Sequence, residues 1–306
     1  MKSKTKIWLG VGAFVVAGAG LNASAARAEG PMVDLRTETV SDLALMRALA
    51  GANDLSAARK HGHGGEGGGL AAKSKKQGGE GGEKGGEAGA KAAKLPPDLD
   101  FALKIGQIRG HLLVGDELVK EGQWAAALPH FLHPSEELYG PIRARLKDYS
   151  TPPFASALKL LATTVKQKKG GDDYAQALKA VEDALAAADA GIKAKQPSEG
   201  FAVETALELL KSATGEYEEA IVKGRIAKPV EYQDARGFVW QSEKMIEAQA
   251  AALEKKDAAA LKAVRDGYAE LKKTWPAAMP PKTPVKDYPG VLNDVSRIEL
   301  AIGKLM

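Results

Sequence analysis

The stretch from Gly290 to Met306 reads GVLNDVSRIELAIGKLM. Its apolar residues recur at intervals of three and four positions, which is the spacing of one face of an α-helix. These residues are Val291, Val295, Ile298, Ile302 and Leu305. Such a stripe has to be buried against other elements, and the same spacing continues back to Pro96 without a stretch that alternates as a strand would. The sequence therefore predicts an all-α fold built as antiparallel helical bundles.

The helical region divides at the stretch KQPSEG, which runs from Lys195 to Gly200. Proline, serine and glycine there end one helix and cap the next. We expect a first helical group over residues 96–197 and a second helical bundle over 198–306, although one shared core is equally compatible with the pattern. In the second group a helix begins after Pro229, and the short connection Lys255–Asp257 predicts that the two helices it joins pack antiparallel.

Residues 1–28 have the three-part layout of an export signal. Three lysines precede an uncharged apolar run from Ile7 to Leu21, and the small residues around Ala28 follow. The run is shorter than the roughly 20 residues that a membrane-spanning helix needs, and no other long apolar run follows. The sequence predicts cleavage after Ala28, or as a second choice after Ala25, and a mature periplasmic chain without a transmembrane segment.

Two further segments precede the helical region. Residues 29–60 contain one short helical segment, and residues 61–95 are dominated by Gly, Lys and Glu. Such a composition buries too little apolar surface to offset the entropy of ordering, which predicts a disordered linker. His61 and His63 lie in this linker, where they either hold a metal loosely or are solvated.

Charge and composition exclude several classes of function. The chain contains 43 Lys and Arg residues, 39 Asp and Glu residues and no cysteine. The four excess bases are Lys2, Lys4, Lys6 and Arg27 of the predicted signal, so the mature chain is electrically balanced. Balanced charge argues against nucleic-acid binding, and the lack of cysteine excludes thiolate metal sites and disulfides. Because the common hydrolase, phosphate-loop and zinc-protease patterns are also missing, we expect a protein that is not an enzyme.

The stretch from Gly110 to Gly140, GHLLVGDELVKEGQWAAALPHFLHPSEELYG, contains three histidines. They are His111, His130 and His133. One helix is predicted to end near Gly122 and a second to run from Gln123 to about Leu132. If the two fold back on each other, His130 faces Gly115 and His111 comes beside His133. The hairpin therefore predicts a cluster of imidazoles.

Two interpretations of this cluster stay open. Neutral imidazoles with a carboxylate suit zinc, copper or non-haem iron, which predicts a site for one transition-metal ion. The predicted ligands are His111, His130, His133 and Glu136, with Glu137 and Asp116 as other available carboxylates. Alternatively the histidines are structural, and Glu136 and Glu137 complement the positive end of a new helix that begins at Pro134. In either case Pro134 predicts that His133 is not helical.

Short motifs give two family resemblances. HPSEELYG, from His133 to Gly140, resembles the histidine and glutamate signature of imelysin-like periplasmic proteins of iron uptake. This resemblance implies iron or copper at His133 and Glu136, although Phe131 stands where that family has glycine. The stretch is also similar to a tetratricopeptide helix pair, in which small, aromatic and alanine residues allow close packing. The matching positions are Gly115, Leu118, Gly122, Trp124, Ala127 and Phe131.

Together these features predict an exported helical protein that binds a metal ion or a metal-handling partner in the periplasm. The alternative is a non-metal helical scaffold, similar to tetratricopeptide proteins, that docks a protein partner in the cell envelope.

The predicted processing is directly measurable. Because Ala26 and Ala28 are the small residues that a signal peptidase requires, exported protein should have the mass of a chain that begins at Glu29, or less favourably at Ala26. Intact-mass spectrometry of periplasmic protein, with unexported precursor as the control, checks this. Retention of Lys2 to Lys6 in the exported protein would contradict the predicted localisation.

Overall fold

A computed structural model describes residues 94–306, and this part of the chain is almost entirely helical. The predictions for the signal, the short helical segment, and the linker as far as residue 93, with His61 and His63, lie outside the described residues. In chain order the helices are α1 (Pro97–Lys120), α2 (Trp124–His133), α3 (Tyr139–Ile142), α4 (Ala155–Lys166), α5 (Gly171–Lys195), α6 (Glu199–Ala220), α7 (Pro229–Glu247), α8 (Ala250–Leu271) and α9 (Tyr288–Ile302). The all-α prediction is confirmed.

Shorter elements complete the described chain. A π-helical turn, Pro134–Leu138, follows α2, and 3₁₀ turns span Arg143–Tyr149 and Lys272–Thr274. Strands β1 (Ile221–Val222) and β2 (Arg225–Ile226) pair antiparallel and join α6 to α7. Within residues 94–306 no helix is both long enough and apolar enough to cross a membrane.

Two clusters of buried apolar side chains form the interior. The first draws mainly on α1 to α5, for example Ile108, Phe131 and Val181, and Ala278 joins it from the loop before α9. The second draws on α6 to α9, and Leu103 of α1 joins it. Helix α1 therefore contributes side chains to both clusters, so the two helical groups meet along this helix.

The chain reverses at Asp257, within the span of α8, as the connection Lys255–Asp257 predicts. Helix α7 ends at Glu247, and a short turn at Ala248 and Gln249 precedes the residues that lead to this reversal. Asp257 has the extended φ of −158°, so two helical segments meet there. They pack antiparallel, because Arg265 pairs with Glu247 and Lys272 pairs with Glu243 across the reversal. The Asp257 carboxylate accepts a hydrogen bond from the backbone N–H of Ala260, as the cap of a new helical turn does.

The stripe on the last helix is buried as predicted. Val291, Val295, Ile298, Ile302 and Leu305 all lie in the second apolar cluster. Helix α9 begins two residues before the expected Gly290, because the Asp287 carboxylate caps it by accepting a hydrogen bond from the Gly290 N–H. Ile298 packs on Gly267 of α8, where an added Cβ would lie only 2.6 Å from the Ile298 side chain.

Truncating Ile298 should strongly destabilise the second group. Its side chain is 0% exposed, so Ile298→Ala removes buried methyl groups and leaves a cavity, at an expected cost of about 2–5 kcal/mol in the free energy of unfolding. The matched control on the same helix is Leu300→Ala, since Leu300 is 75% exposed and should change stability by less than about 0.5 kcal/mol. Urea unfolding of both variants measures the difference. Equal, small effects would show that α9 is peripheral.

Candidate metal centre

The hairpin of α1 and α2 forms as the spacing predicts. The chain reverses at Gly122, whose φ of +74° favours glycine. An added Cβ at Gly115 would lie 2.8 Å from the Phe131 ring and 3.2 Å from Cβ of His130, so glycine is needed for the two helices to approach there. His111 of α1 thereby comes close to both histidines of α2. Its ring centroid lies 6.2 Å from that of His130 and 5.3 Å from that of His133.

The end of α2 differs from the prediction. His133 has helical backbone angles, φ −50° and ψ −44°, although proline follows it. The chain continues into the π-helical turn, whose wider backbone accommodates the proline ring without a break. The Ser135 hydroxyl also donates a hydrogen bond to the carbonyl of Leu132. His133 is therefore held in the same helix as His130, one turn further on.

Helix α7 brings a second set of polar side chains to the hairpin. Gln233, Asp234 and Arg236 are all buried in its first half. This half of α7 crosses α1 so closely that a Cβ added at Gly237 would collide with the carbonyl of Gly110. The crossing has no room for larger side chains, and it places the Asp234 carboxylate against the histidines.

Asp234 is the centre of the cluster. Its Oδ1 atom lies 2.7 Å from Nδ1 of His111 and 2.7 Å from Nδ1 of His130. Its Oδ2 atom lies 3.4 Å from Nδ1 of His133. A single carboxylate that is only 3% exposed thus faces three imidazoles.

The three histidines are not equivalent. His130 is engaged at both ring nitrogens, since Nδ1 bonds Asp234 and Nε2 lies 3.0 Å from Oε1 of Gln233. His111 is 5% exposed, and its Nδ1 is close to Asp234 but outside hydrogen-bond geometry, which leaves this buried nitrogen without a hydrogen-bond partner. His130 therefore orients Asp234, whereas Nδ1 of His111 is available to bind a metal ion.

Burial and charge set the protonation of the cluster. Burial would raise the pKa of Asp234, but the facing rings of His111 and His130 outweigh it and hold that pKa well below its usual range. Burial lowers the pKa of His111 and outweighs the attraction of Asp234, which disfavours the charged form of this ring. Burial also opposes the charge on His133, but Asp234, Glu137 and Glu216 outweigh it and raise its pKa to about 8.

The donor atoms of His111, His133 and Asp234 all lie within 4.8 Å of one another. These three donor atoms are close enough together to bind one metal ion. Each donor comes from a different helix. Two predicted ligands fall outside this group. His130 has no free nitrogen, and Glu136 is exposed on the π-helical turn, where Asp234 takes the place predicted for its carboxylate.

Asp234 was not among the predicted ligands. The sequence marks it only indirectly. In the run Gln233–Gly237, polar residues lie within a helix and are flanked by the apolar residues Tyr232, Phe238 and Val239. Arg236 in this run donates hydrogen bonds to the Glu117 carboxylate of α1 and to the Trp275 carbonyl. Buried polar side chains of this kind need partners from other helices, which a single sequence does not identify.

Residues 193–306 match the family model of an iron permease-associated 4-helix bundle domain. The matched residues span α6 to α9 and include Asp234 but not the three histidines. The chain is therefore similar over this range to a helical domain associated with iron uptake, while the resemblance to imelysin-like proteins is not confirmed. No curated protein and no solved structure matches the chain.

Removing the charge of Asp234 should destabilise the protein. Asp234→Asn keeps the shape of the side chain but breaks a buried ionic cluster, at an expected cost of about 3–5 kcal/mol at pH 7. Because the folded pKa of Asp234 is depressed, this stabilisation is present above about pH 4 and is lost as the pH falls through the folded value.

The matched control is Asp183→Asn. The Asp183 side chain is 65% exposed and pairs with Lys179 on the same helix, so its loss should cost less than about 1 kcal/mol. Urea unfolding at pH 7 compares the two variants. If Asp234→Asn unfolds with the stability of wild type, the cluster is not an ionic one.

Proposed function

We propose that this chain is an exported helical protein that binds one ferrous ion through His111, His133 and Asp234 and works beside a membrane iron permease. The observation that carries the proposal is the convergence of these three donors, with a buried His111 nitrogen that lacks a hydrogen-bond partner. A buried polar atom without a partner costs free energy, and a metal ion would satisfy it.

The donor set favours iron on chemical grounds. Two imidazoles and one carboxylate on one face of the ion are the arrangement typical of non-haem ferrous sites, and they leave coordination positions open. Open positions suit an ion that is cargo and has to be exchanged. The match of residues 193–306 to an iron permease-associated domain supports the same metal and suggests the class of membrane partner.

His130 and Gln233 have a supporting role in this proposal. His130 bonds the Asp234 oxygen that also faces His111, and Gln233 in turn fixes the far nitrogen of His130. Such second contacts orient the groups that hold a metal and usually affect its affinity when they are changed. Nothing in this arrangement requires a reaction, and we propose a binding protein rather than an enzyme.

Metal affinity should rise with pH. Burial lowers the pKa of His111, whereas Asp234, Glu137 and Glu216 outweigh burial and raise the pKa of His133 to about 8. Binding has to displace the His133 proton, so affinity should fall about tenfold per pH unit below this value and become constant above it.

The test is titration of metal-free protein with ferrous iron under anaerobic conditions, at pH 6.5, 7.5 and 8.5. His111→Ala and His133→Ala should each weaken binding at least tenfold, which corresponds to about 1.4 kcal/mol. Glu136→Gln is the matched control and should bind like wild type, because Glu136 is exposed. Zinc and copper titrations on the same variants show whether the site discriminates between metals.

Two results would contradict the proposal. One is equal affinity of wild type and both histidine variants while their circular dichroism stays unchanged. The other is iron binding that is lost only when His61 and His63 are replaced. Either result would leave the helical scaffold that docks a protein partner as the better explanation.

A further inference from the structure

A cavity of about 480 Å³ is lined by residues of α1, α5, α6 and α7 and of the short connections next to them. Its size is within the range of pockets that hold small organic ligands. None of the proposed metal ligands His111, His133 and Asp234 lines this cavity. A molecule bound there would therefore be a second ligand, separate from the metal ion.

Each of the four helices contributes a large apolar side chain to the lining. These are Ile105 of α1, Ile192 of α5, Phe201 of α6 and Met245 of α7. Ile105 is buried, whereas the other three are only half-buried, so apolar surface faces the open space. Apolar surface in contact with water is unfavourable, and an apolar ligand would remove that contact.

The same lining carries an excess of positive charge. Its charged residues are Arg109, Asp189, Lys193 and Lys244. Arg109 pairs with Asp189, so the two lysines are the excess. Within residues 94–306 neither lysine forms an ion pair or donates a side-chain hydrogen bond. Both lie in the last turn of a helix, where a cation also stabilises the helix end. That effect on stability does not depend on a ligand, so stability can be measured apart from binding.

Two half-buried amides add hydrogen-bond donors to the lining. Gln241 lies in α7, and Gln249 lies between α7 and α8. Within the part of the chain that the structure describes, neither side chain makes a hydrogen bond. Each amide offers two N–H donors that can bond a carboxylate oxygen. Unpaired ammonium and amide groups thus line the same cavity as the apolar side chains.

We propose that this cavity binds an organic carboxylate with an apolar body, of the kind that a medium-chain fatty acid represents. The apolar body packs on Ile105 and Met245, and the carboxylate faces Lys193 and Lys244. A neutral apolar molecule would leave both lysines without a partner, and a cation would be repelled by them. An inorganic anion would leave the apolar side chains in contact with water. Only a ligand with both parts matches the lining.

The first experiment is calorimetric titration of wild type with hexanoate, octanoate and decanoate at pH 7.5. If the chain is buried, affinity should rise on the order of tenfold for each two added methylenes. Octan-1-ol has the chain of octanoate without its charge and should bind more weakly. Added salt should weaken the binding of octanoate, because salt screens the lysines, and should not weaken that of octan-1-ol.

The second experiment titrates variants with octanoate. Lys193→Gln and Lys244→Gln should each weaken binding about threefold, and the double variant should weaken it further. The matched control is Lys262→Gln, because Lys262 is 75% exposed, pairs with Asp266 and does not line the cavity. Ala202→Leu adds a larger side chain to the lining of the cavity and should weaken binding at least tenfold. Leucine is a good helix former, so α6 should still form in this variant.

Thermal midpoints of the ligand-free variants separate binding from folding. Weaker octanoate binding with an unchanged midpoint supports the site. Equal affinity in wild type and the double lysine variant would overturn the inference, as would equal affinity for octanoate and octan-1-ol. Unchanged affinity in Ala202→Leu would show that the ligand binds elsewhere and would overturn it too. Protein that binds ferrous iron but no decanoate would overturn this inference alone and leave the proposed function intact.

Discussion

The burial of the Asp234 carboxylate is the constraint on which the rest of the structure depends. An ionised carboxylate removed from water costs several kcal/mol unless charged or hydrogen-bonding groups surround it closely. Here the compensation comes from His111, His130 and His133, with Gln233 holding the far side of His130. These groups come from α1, α2 and α7, so the carboxylate is satisfied only when all three helices are in place.

Two contacts keep those helices in register. Gly110 and Gly237 let the backbones of α1 and α7 touch, and any larger residue at either position would force them apart. The two hydrogen bonds from Arg236 to the Glu117 carboxylate then fix the rotation of α7 against α1. A site held in this way is preorganised, because its donors are positioned by packed helices rather than by loops.

The sequence predicts the part of this arrangement that local periodicity controls. Helical spacing and the Gly122 turn were enough to infer the hairpin, and equal height on the two helices was enough to bring His111 beside His133. Glu136 lies near the histidines in sequence, yet the π-helical turn directs it to solvent. The carboxylate that does face the histidines is Asp234, about a hundred residues later, and no local pattern connects positions so far apart. Likewise Pro134 predicted a break after His133, but tertiary packing around the hairpin carries the helix through it.

The position of the family match explains why neither half of the chain is sufficient for the proposed centre. The matched bundle contributes Asp234, whereas the histidines belong to the hairpin that precedes it. A bundle with this carboxylate alone would bury negative charge without imidazoles to balance it. The hairpin alone would gather three imidazoles with no carboxylate among them, because Glu136 and Glu137 are exposed. In the proposed function, metal affinity is therefore a property of the seam between the two helical groups, because the histidines come from one side of it and Asp234 from the other.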